Sequence, residues 1–391
     1  MNLEALQTSW RRVERIGDEA TQYFYSHLFL AHPEVREMFP IRMSTQRAKF
    51  FAALGRIVSN VETLADDPEF VAQLGRDHRR FGVIADHYPA AGASLLATLA
   101  HFHGARWTEE LAQTWTDAYW AVAGIMTAAA EQAADTPAWW DADIVATERR
   151  SIDVTVHTVR PLQPFHYEAG QSIAIEIPQR PRLWRYFSPA NAPRPDGTFD
   201  IHVQAVDGGE VSATFARMVR PNDRIRLGSP VGTALVIPPE AADRLLLVAG
   251  GSGLAPLRAV LDRIEQTWRH SGFAPQVRLF HGVRTAWNLY DHEALTALTE
   301  YPWFTYTPVV SEDPGFRGVQ GMVGAVAARG LDLSGCTALV CGSPTMVTAT
   351  VSDLTIAGMP RHAIRYEMFG QAAAADQPAD QRSSDKVAQW M

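Results

Sequence analysis

Three stretches of this 391-residue chain carry residue types and spacings that suit chemistry. The strongest is RLLLVAGGSGLAPLRAVLDRI, residues 244–264. Its apolar run from Leu245 to Ala249 reads as a buried parallel strand. Gly250, Gly251, Ser252 and Gly253 then read as a tight turn, and Leu254 to Ile264 as a helix that starts near Pro256. Glycines let a backbone approach a pyrophosphate, and a helix N-terminus offers it N–H groups. The second stretch is RLWRYFSPAN, Arg182 to Asn191, near the middle of the chain. Read alone, it is either a ligand clamp or a strand end running into a proline turn. The third is His78 in LGRDHRRFGV, near the end of a helix that stops at Gly82. It follows a segment rich in aromatics: Tyr23, Phe24, Tyr25, Phe29, Phe39, Phe50 and Phe51. A neutral imidazole can ligate a metal, although a lone helical histidine is more often a surface or satisfied core residue.

The elements that must position these stretches fall into three blocks. From Leu3 to about Ala134 apolar residues recur at helical spacing, punctuated by Pro33, Pro40, Pro68, Gly82, Pro89 and Gly104. Six to eight helices are expected there. Pro137 and the Trp139-Trp140 pair break the pattern, and 137–147 reads as a linker. Strand signals follow: Ile152, Val154 and Val156, then Ile173, Ile175 and Ile177, then TFDIHVQAV after a Pro-Asp-Gly turn. VSATFARMV reads as a helix, and RIRLGSPVGTALV as a strand, a glycine turn and another strand. Short strands with intervening turns suggest a small antiparallel barrel. Gly209 to Ser212 is, on its own, an ordinary turn with a serine N-cap.

In the last block QVRLFHGV reads as a strand ending at Arg284-Thr285. No acidic residue sits there to read a ribose 2′-OH. Arg284 either accepts a 2′-phosphate or is a solvated surface charge. A further strand ends at Cys341-Gly342-Ser343-Pro344, where Cys341 on its own reads as a small buried thiol. The tail 371–391, rich in Ala, Asp, Gln and Ser, is expected to be disordered.

Length argues for two or three domains. Hydrophobic residues make up 47% and charged residues 20%, enough for sizeable cores. The net charge of -8 lacks the basic footprint of a nucleic-acid binder. The N-terminus has no signal-peptide pattern, and no apolar run approaches the ~18 residues of a membrane span. Two cysteines, Cys336 and Cys341, suit a reducing cytoplasm. A cytoplasmic monomer is expected.

The chain resembles the flavohaemoglobins, from residue 1 to about 370 and in the same order. YFYSHLFLAHPEVREMFP, MSTQRAKFFAALGRIVSNVETL, HRRFGVIADHYPAAGASLLATL and TWTDAYWAVAG match a bacterial haemoglobin domain. The later blocks match a ferredoxin-reductase-like module. The resemblance implies a multidomain fold: an all-α globin (1–136), a linker (137–147), an antiparallel β-barrel FAD domain (148–239), an α/β parallel-sheet NAD(P)-binding domain (240–370) and the tail (371–391). It implies His78 as the proximal ligand of haem b, with Tyr25 and Gln46 as polar distal groups. Phe39 would wedge against the haem and Phe50 would form the apolar ceiling. Tyr88 falls on a proximal tyrosine whose glutamate partner aligns with Ala130, leaving Glu131 one residue away. On a helix that is a turn of roughly 100°, so Glu131, the candidate catalytic carboxylate, either replaces that glutamate or misses the arrangement.

For FAD, the resemblance implies Arg185 on the pyrophosphate. It implies Tyr186 and Phe187 beside the ring, Ser188 near its reactive nitrogen, and Gly209, Val211 and Ser212 at a phosphate-binding helix start. Two family aromatics are absent, one replaced by Phe187 and one by Ser172 in Gly170-Gln171-Ser172, so weaker FAD binding or a changed potential is expected. For NADH or NADPH it implies Gly250, Gly251, Ser252, Gly253 and Pro256, with Cys341 and Gly342 on the nicotinamide side. Glu367 and Phe369 belong to the closing motif YEMFG, in which the phenyl ring covers the flavin face. The activity implied is NAD(P)H-dependent nitric oxide dioxygenation, with oxygen, nitric oxide and NAD(P)H as small-molecule partners. Two other readings remain: a haem–flavin oxidoreductase using another donor such as lactate, or acting on peroxides, and a haem-based oxygen or redox sensor.

Overall fold

The computed structural model describes residues 2–63, 68–237, 243–330 and 332–369, so Gly370 and the tail lie outside the described residues. Two compact units emerge among the described residues, one comprising those up to Trp139 with Pro181–Leu183, the other Trp140–Arg180 with those from Trp184 to Phe369.

The first unit is helical: α1 (Leu3–Ile16), α2 (Asp18–Ala31), α3 (Ser44–Ser59), α4 (Glu69–His78), α5 (Tyr88–His103) and α6 (Glu109–Gln132). Side-chain caps start two of them. Asn2 accepts from the Ala5 N–H and Thr108 from the Leu111 N–H, satisfying donors that a helix start leaves free. α1 buries Leu6, Ser9, Trp10 and Val13, a three-and-four spacing on one face. These pack with Phe24, Leu28, Val58, Leu99 and Trp115 into one core. Gly75 brings α4 flush against α6. A Cβ there would lie 2.2 Å from the Met126 carbonyl oxygen, so only glycine allows the approach that sets His78 in place.

The second unit contains two sheets. The first is antiparallel, in the order β4 (Arg185–Phe187), β3 (Ser172–Glu176), β6 (Arg224–Val231), β1 (Trp140–Arg149), β2 (Val154–Pro161), β5 (Phe199–Gln204). A bridge from Pro189 to Ile201 ties the β4 end to β5 and closes the sheet into a barrel. Helix α7 (Glu210–Met218) follows β5. The second sheet is parallel. Its order is β10 (Val319–Gln320), β9 (Phe304–Val310), β8 (Gln276–Val283), β7 (Arg244–Gly250), β11 (Cys336–Gly342), β12 (Ile364–Met368). The crossovers carry α8 (Leu254–Ser271), α9 (His292–Ala297), α10 (Val323–Ala327) and α11 (Pro344–Ile356). β7 and β11, near the sheet centre, bury near-continuous apolar runs.

The structure departs from the sequence reading in three places. Most of the expected linker is strand: β1 begins at Trp140, and Trp140, Ala142 and Ile144 are buried while Asp141 and Asp143 are less so. The period-two signal lay beneath two aspartates. The strand expected after the glycine turn at Gly232 does not form. Residues 234 and 235 turn instead, with the Val236 N–H donating to the Thr233 carbonyl and Leu235 buried. Helix α8 runs from Leu254 to Ser271, one to two turns beyond Ile264, until Gly272 ends it.

Candidate functional site

α2, α3, α4, α5 and α6 enclose a cavity of ≈ 310 Å³ lined almost wholly by apolar and aromatic side chains. Tyr25, Gln46, Phe39, Phe50, His78 and Tyr88 all line it. His78 ends α4, and its Nδ1 lies 2.6 Å from the Leu74 carbonyl. A carbonyl only accepts, so Nδ1 carries the proton and Nε2 keeps its lone pair. Burial lowers the His78 pKa and holds the ring neutral. A neutral, oriented imidazole whose second nitrogen is open in an aromatic cavity fits a haem ligand.

On the polar side, Gln46 Nε2 donates to the Tyr25 hydroxyl at 3.4 Å. The tyrosine's own proton is then left for another acceptor. Burial raises the Tyr25 pKa, so it stays a protonated donor. The Phe39 ring meets Tyr25 edge-on at 5.4 Å, and Phe50 stacks on Phe24 at 4.4 Å. These contacts fix Tyr25 in a dry wall. Tyr88, pushed up to about 12 by burial, accepts on its carbonyl from the Tyr119 hydroxyl. Glu131 is not brought to this site. It is exposed on α6, where its backbone carbonyl accepts from the Ala134 N–H, and its side chain makes no hydrogen bond or ion pair among the described residues. The residue beside His78 was missed by sequence reasoning. Asp77 is buried and accepts from Gln73 Nε2 and Arg80, each at 3.2 Å. Its spacing from Gln73 (four) and Arg80 (three) was the available signal.

The barrel sets the second group. Arg185 and Phe187 lie on β4, paired with Ile175 and Ile173, and Tyr186 pairs with Ala174. Arg185 is half-buried, which lowers its pKa, and Glu210 at the start of α7 acts on its charge. The α7 N-cap is Gly209, and Ser212 sits three residues in rather than capping. No side chain caps that helix start. A guanidinium beside uncapped N–H groups suits a pyrophosphate. Val211 is buried beneath it. The Phe187 ring meets Phe215 edge-on at 5.3 Å. Ser188 is buried with its hydroxyl 3.0 Å from that of Ser172, which donates to Glu367 at 2.7 Å. Sequence reasoning had counted Ser172 only as a lost ring.

At the parallel sheet, Gly250 ends β7, Gly251 to Gly253 form a turn, and α8 starts without a side-chain cap, with Pro256 in its first turn. A Cβ on Gly253 would lie 2.3 Å from the Cys341 carbonyl, so glycine is required where the turn crosses β11. Cys341 is fully buried, and burial raises its thiol well above the ordinary range. It pairs in register with Glu367, and Gly342 with Met368. The Phe369 N–H donates to the Gly342 carbonyl. Two supports of the turn had no sequence signal. His281 Nε2 donates to the Gly251 carbonyl at 3.1 Å, and the Ser252 N–H donates to Gln204 Oε1 at 3.4 Å.

Comparison with known proteins agrees with this layout. Residues 22–126 match the globin family, 142–235 the oxidoreductase FAD-binding domain and 247–352 the oxidoreductase NAD-binding domain. A flavohemoprotein of Bacillus subtilis (strain 168) is 25% identical over 94% of this chain and 96% of its own length. The reductase component DmpP of a phenol 2-monooxygenase from Pseudomonas sp. (strain CF600) is 31% identical, and this chain spans 60% of its length. A flavohemoglobin from Malassezia yamatoensis, solved with FAD and heme, shares the fold: TM-score 0.75 at 19% identity, covering 94% of this chain and 98% of that one. No helix among the described residues is long and apolar enough to cross a membrane. With a haem-type cavity in its helical unit, a flavin barrel and a nucleotide-binding sheet after it, and a flavohemoprotein aligned along nearly its whole length, the chain belongs to the flavohaemoglobin family, a haem- and FAD-dependent NAD(P)H oxidoreductase.

Proposed function

We propose that the chain is an NAD(P)H-dependent nitric oxide dioxygenase. The observation that carries this reading is a single cavity that combines an oriented neutral His78 with the Tyr25–Gln46 hydrogen-bonded pair. Haem held there would supply the iron chemistry that joins nitric oxide and oxygen to nitrate. The balance is 2 NO + 2 O₂ + NAD(P)H → 2 NO₃⁻ + NAD(P)⁺ + H⁺, so each hydride serves two turnovers.

Each residue has a role that follows from its chemistry. His78, with Nδ1 held by the Leu74 carbonyl, would offer Nε2 to the haem iron. Tyr25 donates its proton toward negative charge developing on oxygen, and Gln46 holds that hydroxyl in direction. Phe39 and Phe50 exclude water. Arg185 with the Gly209–Ser212 helix start would hold the FAD pyrophosphate, Tyr186 and Phe187 would contact its ring, and Ser188 would offer its hydroxyl to the reactive nitrogen. Gly250 to Gly253 and the α8 start cradle the nicotinamide nucleotide. Gly342, Cys341 and Phe369 lie at the sheet end where nicotinamide and flavin meet.

Glu131 supports a second reading. Its exposure leaves Tyr88 without a carboxylate partner among the described residues to make the proximal imidazole more basic, and a haem–flavin oxidoreductase with another donor, such as lactate, would tolerate that. Anaerobic mixing with NADH, NADPH and lactate in parallel separates the two. Under the first reading a nucleotide bleaches the flavin and then reduces the haem within seconds, and aerobic addition of nitric oxide yields nitrate. Haem reduced by lactate and by neither nucleotide refutes it.

A further inference from the structure

Ser172 opens β3, Ser188 follows β4, and Glu367 lies on β12, all in the second unit. The Ser172 hydroxyl donates to Glu367 Oε1 at 2.7 Å and lies 3.0 Å from Ser188 Oγ. Ser172 and Ser188 are 2% and 3% exposed, so water does not compete for these hydroxyls. A carboxylate only accepts, and a serine hydroxyl has one proton. The Ser172 proton is committed to Glu367. The bond between the two serines therefore uses the proton of Ser188. The chain runs in one direction, Ser188 to Ser172 to Glu367, and leaves Ser188 with lone pairs only for whatever else meets its oxygen.

We infer that Ser172 and Glu367 turn Ser188 into a hydrogen-bond acceptor toward the flavin ring, which favours the reduced flavin. This rests on the flavin reading of Ser188 given above. The reactive ring nitrogen, N5, carries a lone pair when oxidised and a hydrogen when reduced. Two lone pairs gain nothing from each other, whereas an N–H facing an acceptor makes a bond. The arrangement raises the flavin midpoint potential above that of a site in which Ser188 is free to donate. Ser172 is a positioning residue, since it acts through Ser188. An aromatic side chain at 172 has no hydroxyl at this distance from the backbone. This chain replaces a stacking ring by a directed hydrogen bond.

The test reads the flavin midpoint of the FAD-loaded full chain by equilibration against a reference dye. In Ser172→Ala the Ser188 proton is released and turns to the oxidised ring. The ratio of reduced to oxidised flavin at fixed dye potential is expected to fall about tenfold, about 30 mV for a two-electron couple. Ser172→Thr keeps a hydroxyl and should leave the midpoint at the wild-type value. Glu367→Gln, whose amide can offer an N–H to Ser172, should lower it in the same direction, and serves if Ser172→Ala does not hold FAD. Ser188→Ala separates the two levels of argument. If it changes neither FAD affinity nor midpoint, the flavin reading of Ser188 fails. If it shifts the midpoint while Ser172→Ala and Glu367→Gln leave it unchanged or raise it, that reading stands and the inferred direction is overturned.

Discussion

At the scale of single residues, His78 concentrates the argument. Its Nδ1 is held by the Leu74 carbonyl, so the ring cannot rotate to find another partner without losing that bond. Truncation removes the cavity-lining imidazole that the Leu74 carbonyl orients. His78→Ala is expected to abolish haem retention, read as loss of the Soret band in purified protein, while unchanged haem content would refute the assignment. Phe187 supports a second expectation. Its ring packs edge-on against Phe215, half-buried, and brings an aromatic face without a hydroxyl. Phe187→Tyr should tighten FAD about fivefold if a hydrogen bond worth ~1 kcal/mol is restored, measured by equilibrium titration. Equal affinity in the two proteins would show that the missing hydroxyl is irrelevant. Arg284, exposed just past β8, is the residue to ask about the donor. Arg284→Ala should raise the KM for NADPH and spare NADH if it meets a 2′-phosphate, and leave both unchanged if it is a solvated charge.

At the scale of elements, the helix that starts the flavin site is held from its far end. The last carbonyls of a helix have no partner within it. Here β2 supplies two: Thr155 Oγ1 donates to the Ala216 carbonyl at 3.0 Å, and His157 Nε2 lies 3.1 Å from the Phe215 carbonyl. The His157 ring also stacks on Phe215 at 4.7 Å. Burial lowers its pKa to about 4, below the usual 6.5, so the fold prefers the neutral ring. The stability this represents is complete above pH 6.5 and is lost as pH falls toward 4, on the order of 3 kcal/mol. His157→Gln keeps a donor but no titrating group. It should flatten that part of the acid dependence of thermal unfolding, and an unchanged slope between pH 7 and 5 would count against the assignment.

None of this cap was legible in the sequence, because it joins residues 58 and 61 positions apart. What was legible is local. The turn at Gly250 to Gly253 was readable because strand, glycines and helix are contiguous. The helical block was readable from its spacing. β1 was not, since aspartates occupy its outward positions. The strand expected after Gly232 was wrong for the complementary reason: Ala-Leu-Val is apolar and Ala234 and Leu235 are buried, yet no neighbouring strand pairs with them. Likewise Ser172 was seen as an absent ring, and its bonds cross 16 positions to Ser188, beside the β3–β4 pairing, and 195 to Glu367 on a strand of the other sheet.

At the scale of the whole molecule, the question is why three cofactor sites share a chain. The helical unit has its own core around Trp115 and Leu99, and the nucleotide sheet its own around Leu247 and Leu339. What couples them is electron count. Nicotinamide gives up two electrons together as hydride, whereas haem iron accepts one at a time. Flavin is the component that can take the pair and release it singly. The chain should therefore be unable to pass electrons from nucleotide to haem when only the flavin is missing. Arg185→Ala removes the half-buried guanidinium beside the uncapped α7 start and is expected to weaken FAD enough to lose it on purification. The variant should keep its Soret band, and dithionite should still reduce its haem. NADH and NADPH should leave that haem oxidised over minutes, and added FAD should restore reduction with a half-maximal concentration above that of the wild type. Rapid reduction by either nucleotide in the FAD-free variant would mean that the middle site is not an obligatory step.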